Sequence, residues 1–289
     1  MASEKIIFVT GGTGKQGGAV ARHLAREGFK VRALTRHPDS EKAREQESYG
    51  VQPVKGNLDD VSTYSEYLED AHGVYSVQTF EKGVKKEIEQ GKTLANLADQ
   101  YNIRHFVYSS VAGADLRTGI PHFESKLEIE EHIKLLELPY TILRPVSFFE
   151  NFLIPQVRRG IMKGSLVQPV KKETRLQYIS TEDIGRVATQ CFLHPEKYLF
   201  RTLTLAAEEL TGEEAAEVLS KELNLPVNYK MMPWMVRRFL LGKDLYKMFT
   251  WIDHGNALAP KEEIIGKDEF PNMVNFRNWV GTHFKTAKA

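Results

Sequence analysis

Short apolar runs alternate along this chain with stretches whose apolar residues recur every three or four positions. Runs at 6–9, 31–34, 52–55, 73–77, 105–109, 140–143 and 203–205 predict buried strands. Between them the longer period predicts helices over 18–27, 41–49, 60–68, 87–101 and 124–137. Regular β–α alternation with short loops points to an α/β fold: a doubly wound parallel sheet of Rossmann type, with right-handed crossovers placing helices on both faces.

The pattern changes after Leu143. Residues 145–170 are rich in Phe, Pro and Gly and show little periodicity. A helix is predicted over 181–194, opened by Ser180 or Thr181 and Asp183. Thr211-Gly212-Glu213-Glu214 reads as a capping box ahead of a helix ending near Asn224. A strand over 227–231, an aromatic-rich amphipathic helix over about 234–251 and a last helix over about 274–284 complete the pattern. The aromatic stripe reads as core or as a partner surface. The expected organisation is a core of residues 1–152, to which 174–206 return. A small C-terminal α/β subdomain, 153–173 with 207–289, lies on the substrate or partner side. No repeat or low-complexity linker interrupts it.

The most informative local feature is the order strand, glycine turn, helix at 6–24. Gly11, Gly14 and Gly17 follow the apolar run Ile6 to Val9, and Ala19 to Leu24 continue as helix. Glycine allows a sharp turn and a close backbone approach to phosphate, and the helix N-terminus beyond it offers N–H groups and a positive dipole end. The order suits dinucleotide binding; a tight turn with no ligand is the plain alternative. The spacing Gly11-x-x-Gly14-x-x-Gly17, with Thr10 in front, resembles the extended and atypical branches of the short-chain dehydrogenase/reductase superfamily.

Composition narrows the function classes. Across 289 residues, 42% are hydrophobic and 27% charged, ordinary for a globular chain, and the formal net charge of +1 provides no general field for nucleic acid or an anionic membrane. Cys191 is the single cysteine, so no internal disulfide forms; it reads as a buried structural thiol in a reducing compartment. No apolar run approaches the ~20 residues of a membrane span. The chain enters its first strand at once, without room for a leader, and a cytoplasmic location is expected. No metal site is expected.

The end of the second strand bears on cofactor choice. An acid there would hold the ribose 2′-hydroxyl of NAD, whereas an arginine accommodates the 2′-phosphate of NADP. The sequence reads Leu34-Thr35-Arg36-His37-Pro38, with Asp39 beyond the proline. Arg36 offers a planar fork suited to phosphate oxygens, and Lys15 adds charge in the glycine turn. NADP(H) is therefore expected, the alternative being that Arg36 is a solvated loop residue.

Short-chain dehydrogenases carry Tyr-x-x-x-Lys on a helix, the phenol acting as acid/base and the lysine holding the nicotinamide ribose. The matching segment here runs from His122 to Lys126, so imidazole stands at the phenol's place. The hydroxyl expected after the preceding strand falls at Val111, while Ser109 and Ser110 shape the loop. His122 reads as a packing or ribose-side residue, and at most as an auxiliary proton donor. Lys126 reads as a ribose ligand.

Together these features resemble the NmrA-like family of atypical short-chain dehydrogenases. The resemblance is carried by Thr10 to Gly18, Thr35-Arg36, His122-Phe123-x-x-Lys126, the run from Leu143-Arg144-Pro145 to Phe148-Phe149-Glu150-Asn151-Phe152, and Thr181-Glu182-Asp183-Ile184-Gly185. It covers nearly the whole chain and thins beyond about residue 225. It implies NADP(H) contacts at Gly11, Thr13, Gly14, Lys15, Gln16, Gly17, Arg36, Asn57, Leu58, Gln78, Thr79, Lys126, Phe148, Phe149, Glu150 and Asn151. Asn57 replaces the acid usual at its place. The family includes NADPH-dependent quinone reductases and NADP(H)-binding redox sensors that regulate partner proteins. The expected function is thus reduction of a small quinone-like or other electrophilic acceptor. The alternative is a sensor without turnover, acting on a regulated protein partner. Sugar epimerase or dehydratase chemistry is disfavoured, because those reactions need the tyrosine base.

Overall fold

In the computed structural model, residues 5–255, 259, 264 and 269–284 are described. The residues ahead of Lys5, on which the leader reading rests, lie outside them. The strands are β1 (Ile6–Val9), β2 (Lys30–Thr35), β3 (Val51–Lys55), β4 (Gly73–Ser76), β5 (His105–Ser109), β6 (Tyr140–Pro145), β7 (Ser147–Phe148), β8 (Ser165–Gln168), β9 (Arg175–Ile179), β10 (Arg201–Leu205), β11 (Glu208–Thr211) and β12 (Asn228–Met231). The helices are α1 (Lys15–Arg26), α2 (Glu41–Ser48), α3 (Val84–Gln100), α4 (Pro121–Leu135), α5 (Pro155–Met162), α6 (Thr181–Leu193), α7 (Pro195–Tyr198), α8 (Gly212–Leu223), α9 (Trp234–Leu240), α10 (Gly242–Asp253) and α11 (Phe276–Trp279).

The chain folds as two compact units, Met1–Arg144 with Thr181–Leu203, and Pro145–Ser180 with Thr204–Ala289. A seven-stranded sheet in the order β10-β6-β5-β4-β1-β2-β3 organises the first. β1 to β6 pair in parallel, with Ile7 opposite both Val31 and Gly73. β2 lies on one side of β1 and β4 on the other, the topological reversal at which doubly wound sheets open a crevice. β4 and β5 are buried along their whole length, the mark of parallel strands covered on both faces. α3 packs on α4, and α1 on α6.

The stretch 60–68 is not one helix. Asp60 caps a 3₁₀ turn at Val61–Thr63, and Tyr64 then leaves helical backbone at φ −145° to bury its ring against Phe8. A second 3₁₀ turn follows at Ser65–Leu68.

The second unit contains the three-stranded sheet β11-β9-β7 and the parallel pair β8–β12. Its core is aromatic: Phe149 and Phe152 pack against Tyr178 and Phe276, and Phe149 also against Trp279. The 148–152 run, read from sequence with the first domain, therefore lies in this unit. Its hydrophobicity serves packing, in part against Tyr178 on β9, a strand the sequence pattern does not predict. The capping box on α8 forms between Thr211 and Glu214. The amphipathic stretch 234–251 is broken into α9 and α10 where Gly242 takes φ +72°. Among the described residues no helix is long and apolar enough to cross a membrane.

Candidate functional site

Parallel pairing brings the C-terminal ends of β2, β1, β4 and β5 side by side along one edge of the sheet. Beyond β1, the Thr10 hydroxyl donates to the Val77 carbonyl at 2.9 Å and accepts from the Val77 N–H at 2.7 Å, tying the ends of β1 and β4. The three glycines that follow do different work. Gly11 turns the chain at φ +62°. A Cβ on Gly17 would stand 2.5 Å from the Thr10 carbonyl oxygen, so this glycine sets how closely α1 approaches the strand. A Cβ on Gly14 would meet only the Gly11 oxygen, at 3.1 Å, so its outer face is open. α1 starts at Lys15 with Gly14 as N-cap, without a side-chain cap and without an acid in its first turn. Its dipole end is thus not neutralised by a carboxylate of its own.

Arg36 follows β2 directly and is exposed. Among the described residues no carboxylate pairs with it. Thr13, half-buried, and Lys15, exposed, lie in the same turn region, but the Gln16 side chain turns inward. Its amide donates to the Tyr75 hydroxyl at 2.9 Å and to the Ser109 hydroxyl. Asn57 is committed to its own turn, its side-chain oxygen accepting from the Asp59 N–H at 3.2 Å. Leu58 packs on the core. For both residues the backbone, more than the side chain, remains for a ligand.

Gln78 is buried, its amide donating to Ser76 at 2.9 Å. Thr79 is exposed and caps the 3₁₀ turn Phe80–Lys82. α4 places His122 and Lys126 one turn apart, both buried. The His122 ring stacks on Phe80 at 4.7 Å and meets Phe123 edge-on. The Lys126 ammonium donates to the carbonyls of Gln78 at 3.0 Å and Ser109 at 3.4 Å, and pairs with Glu87 at 2.9 Å. One turn further along α4, buried Glu130 accepts from Arg144 through two nitrogens, at 2.9 and 2.6 Å, and from the Ser110 hydroxyl. Lys126 and Glu130 thereby dock α4 on the end of β5.

No neighbouring phenol replaces the absent one. Burial holds the hydroxyls of Tyr75 and Tyr108 well above the ordinary tyrosine range, and Glu87 and Glu130 push Tyr108 further in the same direction. Both stay protonated and enclosed. Val111 lies half-buried in the turn after β5, while Ser109 and Ser110 are engaged as described.

The remaining expected contacts, Phe148 to Asn151, belong to the second unit. Phe149 is fully buried in its aromatic core, Glu150 accepts from the Trp279 indole at 3.2 Å, Phe148 is half-buried and Asn151 exposed. Phe149 and Phe152 are both buried in that packing. Glu87 was not singled out from sequence, yet a signal existed. It occupies the same α3 stripe as the buried residues Gly91, Leu94, Ala95 and Ala98, a carboxylate where an apolar side chain is expected.

Sheet order, glycine turn and α4 define a doubly wound fold of the dinucleotide-binding class. Residues 3–273 match the model of the NmrA-like family, and the chain belongs to that family. An NmrA-like family domain-containing protein of Dictyostelium discoideum is 31% identical over 245 residues, 79% of this chain and 80% of that protein. An NAD(P)H azoreductase of Xenophilus azovorans is 28% identical over 225 residues, 78% of this chain and 76% of that protein. Among solved structures, NmrA, a negative transcriptional regulator in complex with NADP, superposes with a TM-score of 0.80 at 22% identity, covering 98% of this chain and 96% of that one. This last likeness is one of fold.

Proposed function

We propose that the chain binds NADP(H) along the C-terminal edge of its seven-stranded sheet and uses NADPH to reduce small electron-poor acceptors of quinone type. The observation that carries the cofactor reading is the glycine turn: Gly11 bent at positive φ, Gly17 packed against backbone, and Gly14 open at an uncapped helix start. This is the division of labour a pyrophosphate site requires. Arg36, exposed at the end of β2 and without a carboxylate partner among the described residues, is the counterpart of a 2′-phosphate. Gly11, Thr13, Gly14 and Lys15 would hold the diphosphate, with Gln16 and Gly17 contributing backbone; Arg36 would hold the 2′-phosphate, Asn57 and Leu58 would border the adenine, and Gln78, Thr79 and Lys126 the nicotinamide side.

The cofactor supplies a hydride. Transfer to a quinone needs proximity and an electron-poor acceptor more than a dedicated protein acid, so the missing phenol is compatible with turnover. An azoreductase among the relatives supports the reductase reading. A reducing compartment such as the cytoplasm suits it, the one cysteine being buried. The test is NADPH consumption by the purified protein across a panel of quinones, azo compounds, enones and aldehydes. Turnover of a quinone or azo compound supports the reading, and failure of every acceptor overturns it.

One observation favours a second reading, a non-catalytic NADP(H) sensor acting on a protein partner. His122 is packed between Phe80 and Phe123, and the nearby phenols are enclosed with raised pKa values that make them poor proton donors, so no acid of the usual kind stands ready. Limited proteolysis with and without NADPH tests this: a sensor gives cofactor-dependent protection, and identical digests count against it.

A further inference from the structure

We propose that Glu87 is the positioning residue for Lys126, holding its ammonium at the adjoining ends of β4 and β5, where the nicotinamide-side ribose binds. The inference rests on the cofactor reading above. The Glu87 side chain has no exposed surface, and a carboxylate so placed is costly unless paired. Both partners come from α4: Lys126 Nζ lies 2.9 Å from Oε1, and the Ser125 hydroxyl donates to Oε2. The ammonium also donates to backbone carbonyls just past β4 and at the end of β5, Gln78 at 3.0 Å and Ser109 at 3.4 Å, and lies 5.5 Å from the centre of the Tyr108 ring. Two carbonyl acceptors and one ion-paired carboxylate thus fix a flexible four-carbon stem to one point on the strand edge.

The three polar contacts are unequal. The one to Ser109 is the longest, so that donor direction passes to a ribose hydroxyl at least cost, while Glu87 and Gln78 keep the ammonium in place. Stability alone gives little reason for the pair. Glu87 sits on the apolar stripe of α3, and a buried ion pair is often matched or exceeded by well-packed apolar side chains of similar volume. What an apolar pair would not supply is a lysine aimed at the strand edge.

The experiment is calorimetric titration of the full chain with two ligands, NADPH and 2′,5′-ADP, which keeps the 2′-phosphate half and lacks the nicotinamide ribose. E87Q is expected to weaken NADPH by about tenfold or more, the scale of a lost charge-assisted contact, and to leave 2′,5′-ADP unchanged. E87D, which restores the charge, is expected to recover most of the loss. E87Q added to K126M is expected to cost nothing further. Normal NADPH binding by E87Q, with K126M weakened, overturns the positioning role and leaves the cofactor reading standing. Normal binding by K126M overturns the placement of Lys126 in the cofactor site. Equal weakening of both ligands by E87Q shows Glu87 to be structural only, and also overturns the proposal. If E87Q does not fold, S125A carries the same comparison through the other holding contact. A smaller loss confined to NADPH supports the proposal, and no loss, or equal loss for both ligands, overturns it.

Discussion

Gln16 donates its side-chain amide to the hydroxyl of Ser109, joining the first turn of α1 to the end of β5 across the intervening β4. The same Ser109 offers its carbonyl to Lys126, and Tyr75 on β4 receives the second bond from Gln16. The glycine turn and the His122–Lys126 helix are therefore connected through one buried residue.

Replacing Arg36 with alanine is expected to weaken NADPH by about 1.5–3 kcal/mol, the value of hydrogen bonds to a charged group. NADH affinity should barely change, because Arg36 is exposed and carries no packing role. Isothermal titration of both cofactors checks this, and equal wild-type affinities for NADPH and NADH would sink it.

The glycines should separate by phenotype. Gly14→Val is expected to fold and lose NADPH, since its Cβ meets only one backbone oxygen but its branch faces the open side of the turn. Gly17→Val is expected to fail earlier, in folding. Its Cβ would stand against the Thr10 and Gly11 carbonyls, where backbone and not a flexible side chain must give, at a cost at least equal to the ~1–3 kcal/mol of an overpacked core. Thermal melting alongside titration distinguishes the two, and the reverse pattern would refute the assignment.

Arg144→Met should destabilise the protein by about 3–5 kcal/mol, the cost of leaving a buried charge without its partner. The stranded group is Glu130, whose side chain is wholly buried. Arg144→Met combined with Glu130→Gln should recover part of the loss, because the uncompensated charge is then gone. Urea denaturation of the two variants tests this, and additive losses would show that the pair matters for shape alone.

Acid should destabilise in two windows. Burial, with help from the His72 and Lys5 charges, lowers the His105 pKa from 6.5 to about 4. A histidine kept neutral by folding stabilises above its unfolded value, and that contribution is lost as pH falls from 6.5 towards 4. Glu182 is lowered from 4.5 to about 2, first by the hydrogen bond to His23 and then by Arg22. A depressed carboxylate stabilises above its unfolded value, and this contribution is lost between 4.5 and 2. Each is worth on the order of 3 kcal/mol. Denaturation across pH should show the upper limb removed by His105→Gln and the lower by Glu182→Gln; unchanged profiles would contradict the assignment.

The strand order's raw material, the glycine turn and the α8 capping box could be read directly, because each depends on neighbours within a few positions. Apolar runs, glycine spacing and Thr211 with Glu214 are local facts, and local geometry follows from them. Composition of 145–170 was readable too, but its meaning was not. Phe149 and Phe152 look the same in sequence whether they line a slot or fill a core, and only their meeting with Tyr178, Phe276 and Trp279 decided for the core. That the Gln16 side chain is taken up by Tyr75 and Ser109 could not be read from the turn, because both partners come from other strands. Glu87 stood out in sequence only as a carboxylate on an apolar stripe; its role was not legible, because its partner is 39 positions away, on another helix. Periodicity reports which face of an element is buried, whereas the chemistry of a buried polar group depends on what the fold places opposite it.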